Sequence, residues 1–103
     1  PAIYLAVLAP SYVVAGRYQE AIQACELMLD RSRKGEINPL FAHVWLAEAY
    51  VGLGQMDKAR AQAEEVLKID PKFSLENEKR LTAFKDPVHG ERRLAALRKA
   101  GLK

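Results

Sequence analysis

Cysteine is almost missing from this sequence, with Cys25 the only one in 103 residues. A lone cysteine excludes an internal disulfide and fits a reducing compartment, so the expected location is cytoplasmic. Long apolar runs are missing too. The longest stretch without a charge, Ala2 to Gly16, is interrupted by Pro10 and Ser11 and is shorter than the ~20 residues that span a bilayer. No basic segment precedes it, which excludes a signal peptide and argues against a membrane partner. Histidine is scarce: His43 and His89 have no i, i+4 partner of metal-ligand type, so no metal and no cofactor is expected. The chain opens on Pro1, not Met, inside an apolar periodic stretch, which reads as a piece of something longer.

What remains is ordinary for one small globular domain, half apolar and about a quarter charged. Charge is unevenly spread. Residues 1–78 hold 8 Lys/Arg and 11 Asp/Glu, a net of −3, and residues 79–103 hold 8 Lys/Arg and 2 Asp/Glu, a net of +6. A basic end can meet nucleic acid or an anionic surface, or it can be a solvated helix face. Phe84 is the only aromatic residue among those basic ones, which argues against a stacking platform for nucleic acid.

The stretch "WLAEAYVGLGQMDKARAQAEEVLKIDP", Trp45 to Pro71, reads as two amphipathic helices with a glycine between them. It has an earlier counterpart. Aligning Gly16 with Gly54 pairs Leu8 with Leu46, Ala9 with Ala47, Tyr12 with Tyr50, Ala21 with Ala59, Met28 with Val66 and Leu29 with Leu67, an offset of 38 residues. The small residues Ala9/Ala47 and Ala21/Ala59 let the two helices of a unit approach closely. Leu and Tyr fill the space beside them at helical spacing. The glycine permits a tight turn between the helices.

This pattern resembles the tetratricopeptide repeat, a helix–turn–helix unit of about 34 residues. The unit Leu40–Phe73 carries Leu46, Ala47, Tyr50, Gly54, Ala59 and Pro71 at matching positions. It departs at His43, where the family often has Trp, and at Ala63, where a larger residue is usual. The first unit, about 2–38, has Cys25 at the Ala63 position and lacks the closing proline. The expected fold is therefore all-α: one domain over 1–103, with hairpins at about 2–38 and 40–73 and capping helices over about 74–103. Pro10 means either a kink in the first helix or a helix that starts near it, and the apolar pattern upstream of it favours the kink.

The capping region has its own signals. Ser74 suits an N-cap, as does Asp86, and Pro87 fits the first helical position. Leu94, Ala95 and Leu97 predict an apolar stripe, and Gly101 suits the left-handed position after a helix, with Leu102 folding back on Leu97. The ending also resembles the C-terminal region of bacterial class III adenylate/guanylate cyclases, in which tetratricopeptide-like repeats follow a catalytic domain. The residues that match are Asp70, Pro71, Phe73, Ser74, Leu75, Lys85, Asp86, Pro87, Leu97, Arg98, Lys99, Ala100, Gly101 and Leu102. Gly90 departs from that ending. The resemblance implies a parent that makes a cyclic nucleotide from a nucleoside triphosphate, not that this chain does.

Catalytic chemistry has no foothold in the residues themselves. A cyclase needs acidic residues holding two metal ions on a triphosphate, whereas Asp57, Glu64 and Glu65 are predicted on a helix surface. Cys25 sits at a core position with no adjacent base. Gly52–Gly54 lacks the strand and remaining glycines of a phosphate loop. The expectation is a non-catalytic protein-interaction module. The family resemblance implies a concave surface lined by the first helix of each unit: Ile3, Ala6, Val7, Pro10, Val13, Val14, Phe41, Val44, Trp45, Glu48 and Val51. Only Glu48 is charged, which argues against the clamp for a peptide carboxylate found in some family members. The expected partners are a second copy through the first helix, or upstream domains of the parent. A free-standing adaptor binding an apolar peptide, or a basic C-terminal helix binding nucleic acid or an anionic surface, are the alternatives.

Overall fold

In the computed structural model the residues described are 2–35, 39–75 and 87–102, with the side chains of 2–4, 6, 87–90 and 93 left aside. These residues form five α-helices: α1 (Ala2–Val14), α2 (Tyr18–Arg33), α3 (Leu40–Gly52), α4 (Met56–Ile69) and α5 (Pro87–Lys99). The all-α expectation holds. α1 is continuous through Pro10. The helix expected from Ser74, and Asp86 as a cap, fall outside the described residues beyond Leu75.

The two hairpins turn in the same way. After α1, Arg17 N–H donates to Tyr12 O at 2.8 Å and Gly16 N–H to Val13 O at 3.1 Å. After α3, Gln55 N–H donates to Tyr50 O at 2.9 Å and Gly54 N–H to Val51 O at 3.0 Å. Both glycines have φ of 76°, a left-handed conformation that other residues resist, and this closes the carbonyls left open at a helix end. α5 ends likewise, with Leu102 N–H on Leu97 O and Gly101 N–H on Arg98 O. The second helices α2 and α4 lack Gly and Pro and place acids early and bases late: Glu20 then Arg31 and Arg33, Asp57 then Lys68. That order complements the helix dipole. Arg17–Glu20 at 2.6 Å and Lys68–Glu65 at 3.2 Å are exposed pairs of the kind that contributes little.

Packing forms two clusters that meet at α3. Ala9 of α1, Ala21, Ile22, Ala24, Cys25 and Met28 of α2, and Ala42, Leu46 and Ala49 of α3 make the first. Val44 and Ala47 of α3, Ala59, Ala63 and Val66 of α4, Leu75, and Leu94, Leu97, Ala100 and Leu102 make the second. Trp45 and Tyr50 touch both. Alanine supplies much of the core, so the helices pack closely and little volume is left for relaxation.

Two expectations are corrected here. The apolar stripe of α5 is Leu94, Leu97 and Ala100, whereas Ala95 is exposed. Spacing of three puts Ala100 on the Leu94–Leu97 face, and Ala95, one residue on from Leu94, turns about 100° away. Leu8, the counterpart of Leu46, is also not core: it is 41% exposed where Leu46 is 2%. Leu46 has α2 beside it, and Leu8 has no equivalent helix among the described residues.

Candidate protein-interaction surface

α1 carries no charged residue along its whole length. Its inward side is Leu5, Ala9, Tyr12 and Val13, packed in the first cluster. Its outward side is Val7, Leu8, Ser11 and Val14, all exposed. Their spacing, i, i+1, i+4 and i+7, places them on one face. Val7 is 60% and Val14 57% exposed. Ser11 is the only polar side chain there, and its Oγ donates to Val7 O at 2.8 Å. With that hydroxyl satisfied inside the helix, burying the face strands no polar group. An exposed, charge-free helix face contrasts with α2 and α4, whose outer sides bear Arg, Lys and Glu.

The 38-residue equivalence carries this face onto α3, where Trp45, Leu46, Ala49 and Gly52 stand in place of Val7, Leu8, Ser11 and Val14. Phe41, 43% exposed, stacks on half-buried Trp45 with ring centroids 5.8 Å apart at 29°, an offset-stacking geometry worth about 0.5–1.5 kcal/mol.

Of the residues expected on the concave surface, Val7, Val14 and Phe41 are exposed, and Pro10, Val13, Trp45 and Val51 are half-buried. Val44 and Glu48 are buried inside the chain. Val44 faces α4 and α5 in the second cluster, because consecutive α3 residues point to different neighbours once a helix lies on either side. The side chains of Ile3 and Ala6 lie outside the described residues.

Glu48 is the feature that the repeat pattern obscures. It is a buried carboxylate at the centre of α3, close to Cys25 of α2. Burial, then the charges of Glu48 and Glu26, push the Cys25 thiol up from its ordinary 9.0 to about 12. Tyr50 is pushed up in the same direction, by burial first and then by Glu26 and Cys25. A thiol so held is protonated at neutral pH and is not a nucleophile. Its surroundings are acidic where an activated cysteine needs a base.

Other candidate chemistry is spread apart. Asp57 and Glu64 are exposed on α4. Glu65 pairs with Lys68. His43 Nδ1 lies 2.6 Å from Gln62 Oε1, joining α3 to α4. Among the described residues no three His, Cys, Asp or Glu are grouped to hold a metal ion, and no helix is long and apolar enough to cross a membrane. Arg92, Arg98 and Lys99 are exposed on α5, the last two in its final turn, where they favour the helix terminus. His89 lies outside the described side chains.

No curated protein and no solved structure matches the chain. The sequence model of the tetratricopeptide repeat matches residues 12–76, from the inward Tyr12 of α1 through both interhelical glycines and past the Asp70–Pro71 turn. Repeated turns, repeated small residues at the helix contacts and this match together place the chain in the tetratricopeptide repeat family.

Proposed function

We propose that this chain is a non-catalytic module that binds protein through the apolar outer side of its first helix, α1. The observation that carries the reading is α1: a 13-residue helix without a charge, with Val7 and Val14 exposed and its one outward hydroxyl already paired. Soluble chains rarely leave such faces open. Membership of a family built for protein interaction supports the same reading. The organisation that goes with it is two hairpins, about 2–38 and 40–73, closed by residues 74–103.

Two occupants were expected from the sequence, a second copy and another part of the same polypeptide. Area favours the second. A 13-residue helix is about 20 Å long and about 10 Å wide, a footprint of roughly 200 Å², against roughly 800 Å² per partner in a stable complex. A covalently joined segment needs no such area, because linkage supplies a high effective concentration. The resemblance of the ending to class III cyclases supports a cyclase as that polypeptide. The chain then serves it as a docking element, not as part of its catalytic site.

Labelling tests this reading directly. Cys25 is fully buried, so Val7→Cys introduces one accessible thiol. It reacts rapidly in the isolated chain and is protected in the longer polypeptide. Equal reactivity in both refutes the reading. A dimer of the isolated chain at micromolar concentration, dispersed by Val7→Glu with Trp45→Glu, moves the occupant to a second copy.

A further inference from the structure

The outer side of α5 is charged differently from those of α2 and α4. Leu94, Leu97 and Ala100 turn inward and are buried. Glu91, Arg92, Ala95, Arg98 and Lys99 are exposed. At about 100° per residue these five lie within an arc of about 120°, with Ala95 near its middle. Along α2 and α4 cations stand one turn from acids, as in Lys34–Asp30 at 3.6 Å and Lys68–Glu65 at 3.2 Å. The single acid of α5, Glu91, has Leu94 and Ala95 three and four residues on, so it has no base to pair with there. Among the described residues Arg92, Arg98 and Lys99 make no ion pair and no side-chain hydrogen bond. Arg92 and Lys99 are about 10 Å apart along the helix axis, two turns.

We propose that this face of α5 docks an acidic helix of a protein partner. Charge complementarity carries the assignment. Carboxylates at i, i+3 or i+4, and i+7 of a helix line one face and repeat at the spacing of Arg92, Arg98 and Lys99. The two arginines offer guanidinium forks that take a carboxylate in two hydrogen bonds. Ala95 between them leaves room for a second helix at the axial distance of about 8–10 Å typical of packed helices. Other anionic partners fit this face less well. An amphipathic helix enters a bilayer by its apolar side, and Leu94 and Leu97 are already engaged in the core. Phosphate chains meet the repelling Glu91, and α5 holds no Phe, Tyr or Trp on which a base could stack. One helix face is far smaller than the roughly 800 Å² per partner of a stable complex. The contact is therefore weak, quick to form and sensitive to salt. α5 belongs to the second core cluster and α1 to the first, so this partner is distinct from the occupant of α1.

The test titrates the isotope-labelled chain with an alanine-based helical peptide bearing Glu at i, i+4, i+7 and i+11, and with a scrambled peptide of the same composition. Amide shifts centre on residues 91–99, and the ordered peptide binds more tightly than the scrambled one. Affinity falls about tenfold or more between roughly 0.05 M and 0.5 M salt, as the screening length shortens. Arg92→Gln, Arg98→Gln and Lys99→Gln each weaken it by about two- to five-fold, the range for exposed charge pairs, and together abolish the shifts while helical circular dichroism stays unchanged. Glu91→Gln, which removes the repelling charge, tightens it by about two-fold, a gain that a misfolded variant would not give. Shifts centred on another helix, equal affinity for the scrambled peptide, or full affinity in the triple variant overturn the proposal. So does tighter binding of duplex DNA or of phosphatidylserine vesicles at the same concentration of charge. Val7→Cys labelling reads α1 alone, so the protein-binding reading of that helix fails or survives separately.

Discussion

Adding one methyl group at Gly52 tests how α2 and α3 are locked together. Gly52 is the last residue of α3, and the Tyr18 ring at the start of α2 lies where a Cβ would go. Helix propensity alone favours Gly52→Ala by up to about 1 kcal/mol, less at a helix end. Contact at 2.5 Å with two ring carbons forces the ring aside. Overpacking of this kind costs about 1–3 kcal/mol. The atoms met are the far end of the half-buried Tyr18 side chain, so the cost falls at the low end of that range. It still outweighs the small propensity gain at a helix end, leaving a net loss of up to about 1 kcal/mol, which lowers the melting temperature by up to roughly 4–8 °C in a domain of this size. The ring is a side chain and can be removed, which isolates the cause. In a Tyr18→Ala background the same Gly52→Ala change loses its penalty and stabilises by a few tenths of a kcal/mol up to about 1. Thermal melts of the four chains complete the double-mutant cycle. Gly52→Ala raising the melting temperature of the natural sequence refutes the reasoning, as does an equal effect in both backgrounds.

Further outcomes follow from the same structure. Leu97→Ala costs roughly 2–5 kcal/mol because Leu97 is fully buried beside Leu102, whereas Arg98→Ala stays within about 0.5 kcal/mol. Equal melting temperatures for the two would overturn the assignment of α5. Cys25 ionises near 9.0 when unfolded and near 12 when folded. A raised acid pKa leaves its stability contribution intact below pH 9 and removes it as pH rises towards 12. The natural chain therefore loses up to about 4 kcal/mol more than Cys25→Ala across that range, read from urea midpoints. Parallel curves would place the thiol in contact with solvent. The purified chain forms no cyclic nucleotide from ATP or GTP with magnesium or manganese, and an activity that is depleted together with the chain would contradict that.

Sequence alone determined the helical class, both interhelical turns and the final cap. These are local matters. A left-handed φ selects glycine at Gly16 and Gly54, a 3.6-residue period selects which side of a helix is apolar, and small residues at Ala9, Ala21, Ala47 and Ala59 mark where helices touch. The candidate surface was half legible. The family resemblance points to Val7, Val14 and Phe41, and these are exposed. Val44 and Glu48 read the same way and are buried, because α3 has helices on both sides and α1 does not. Neighbourhood decided the rest. Leu8 and Leu46 are the same residue at equivalent positions, one 41% exposed and the other 2%. Gly52 stands two residues before the turn glycine Gly54 and is the seat of the Tyr18 ring. Burial and clash depend on what a distant segment brings alongside, which residue spacing within one helix does not encode.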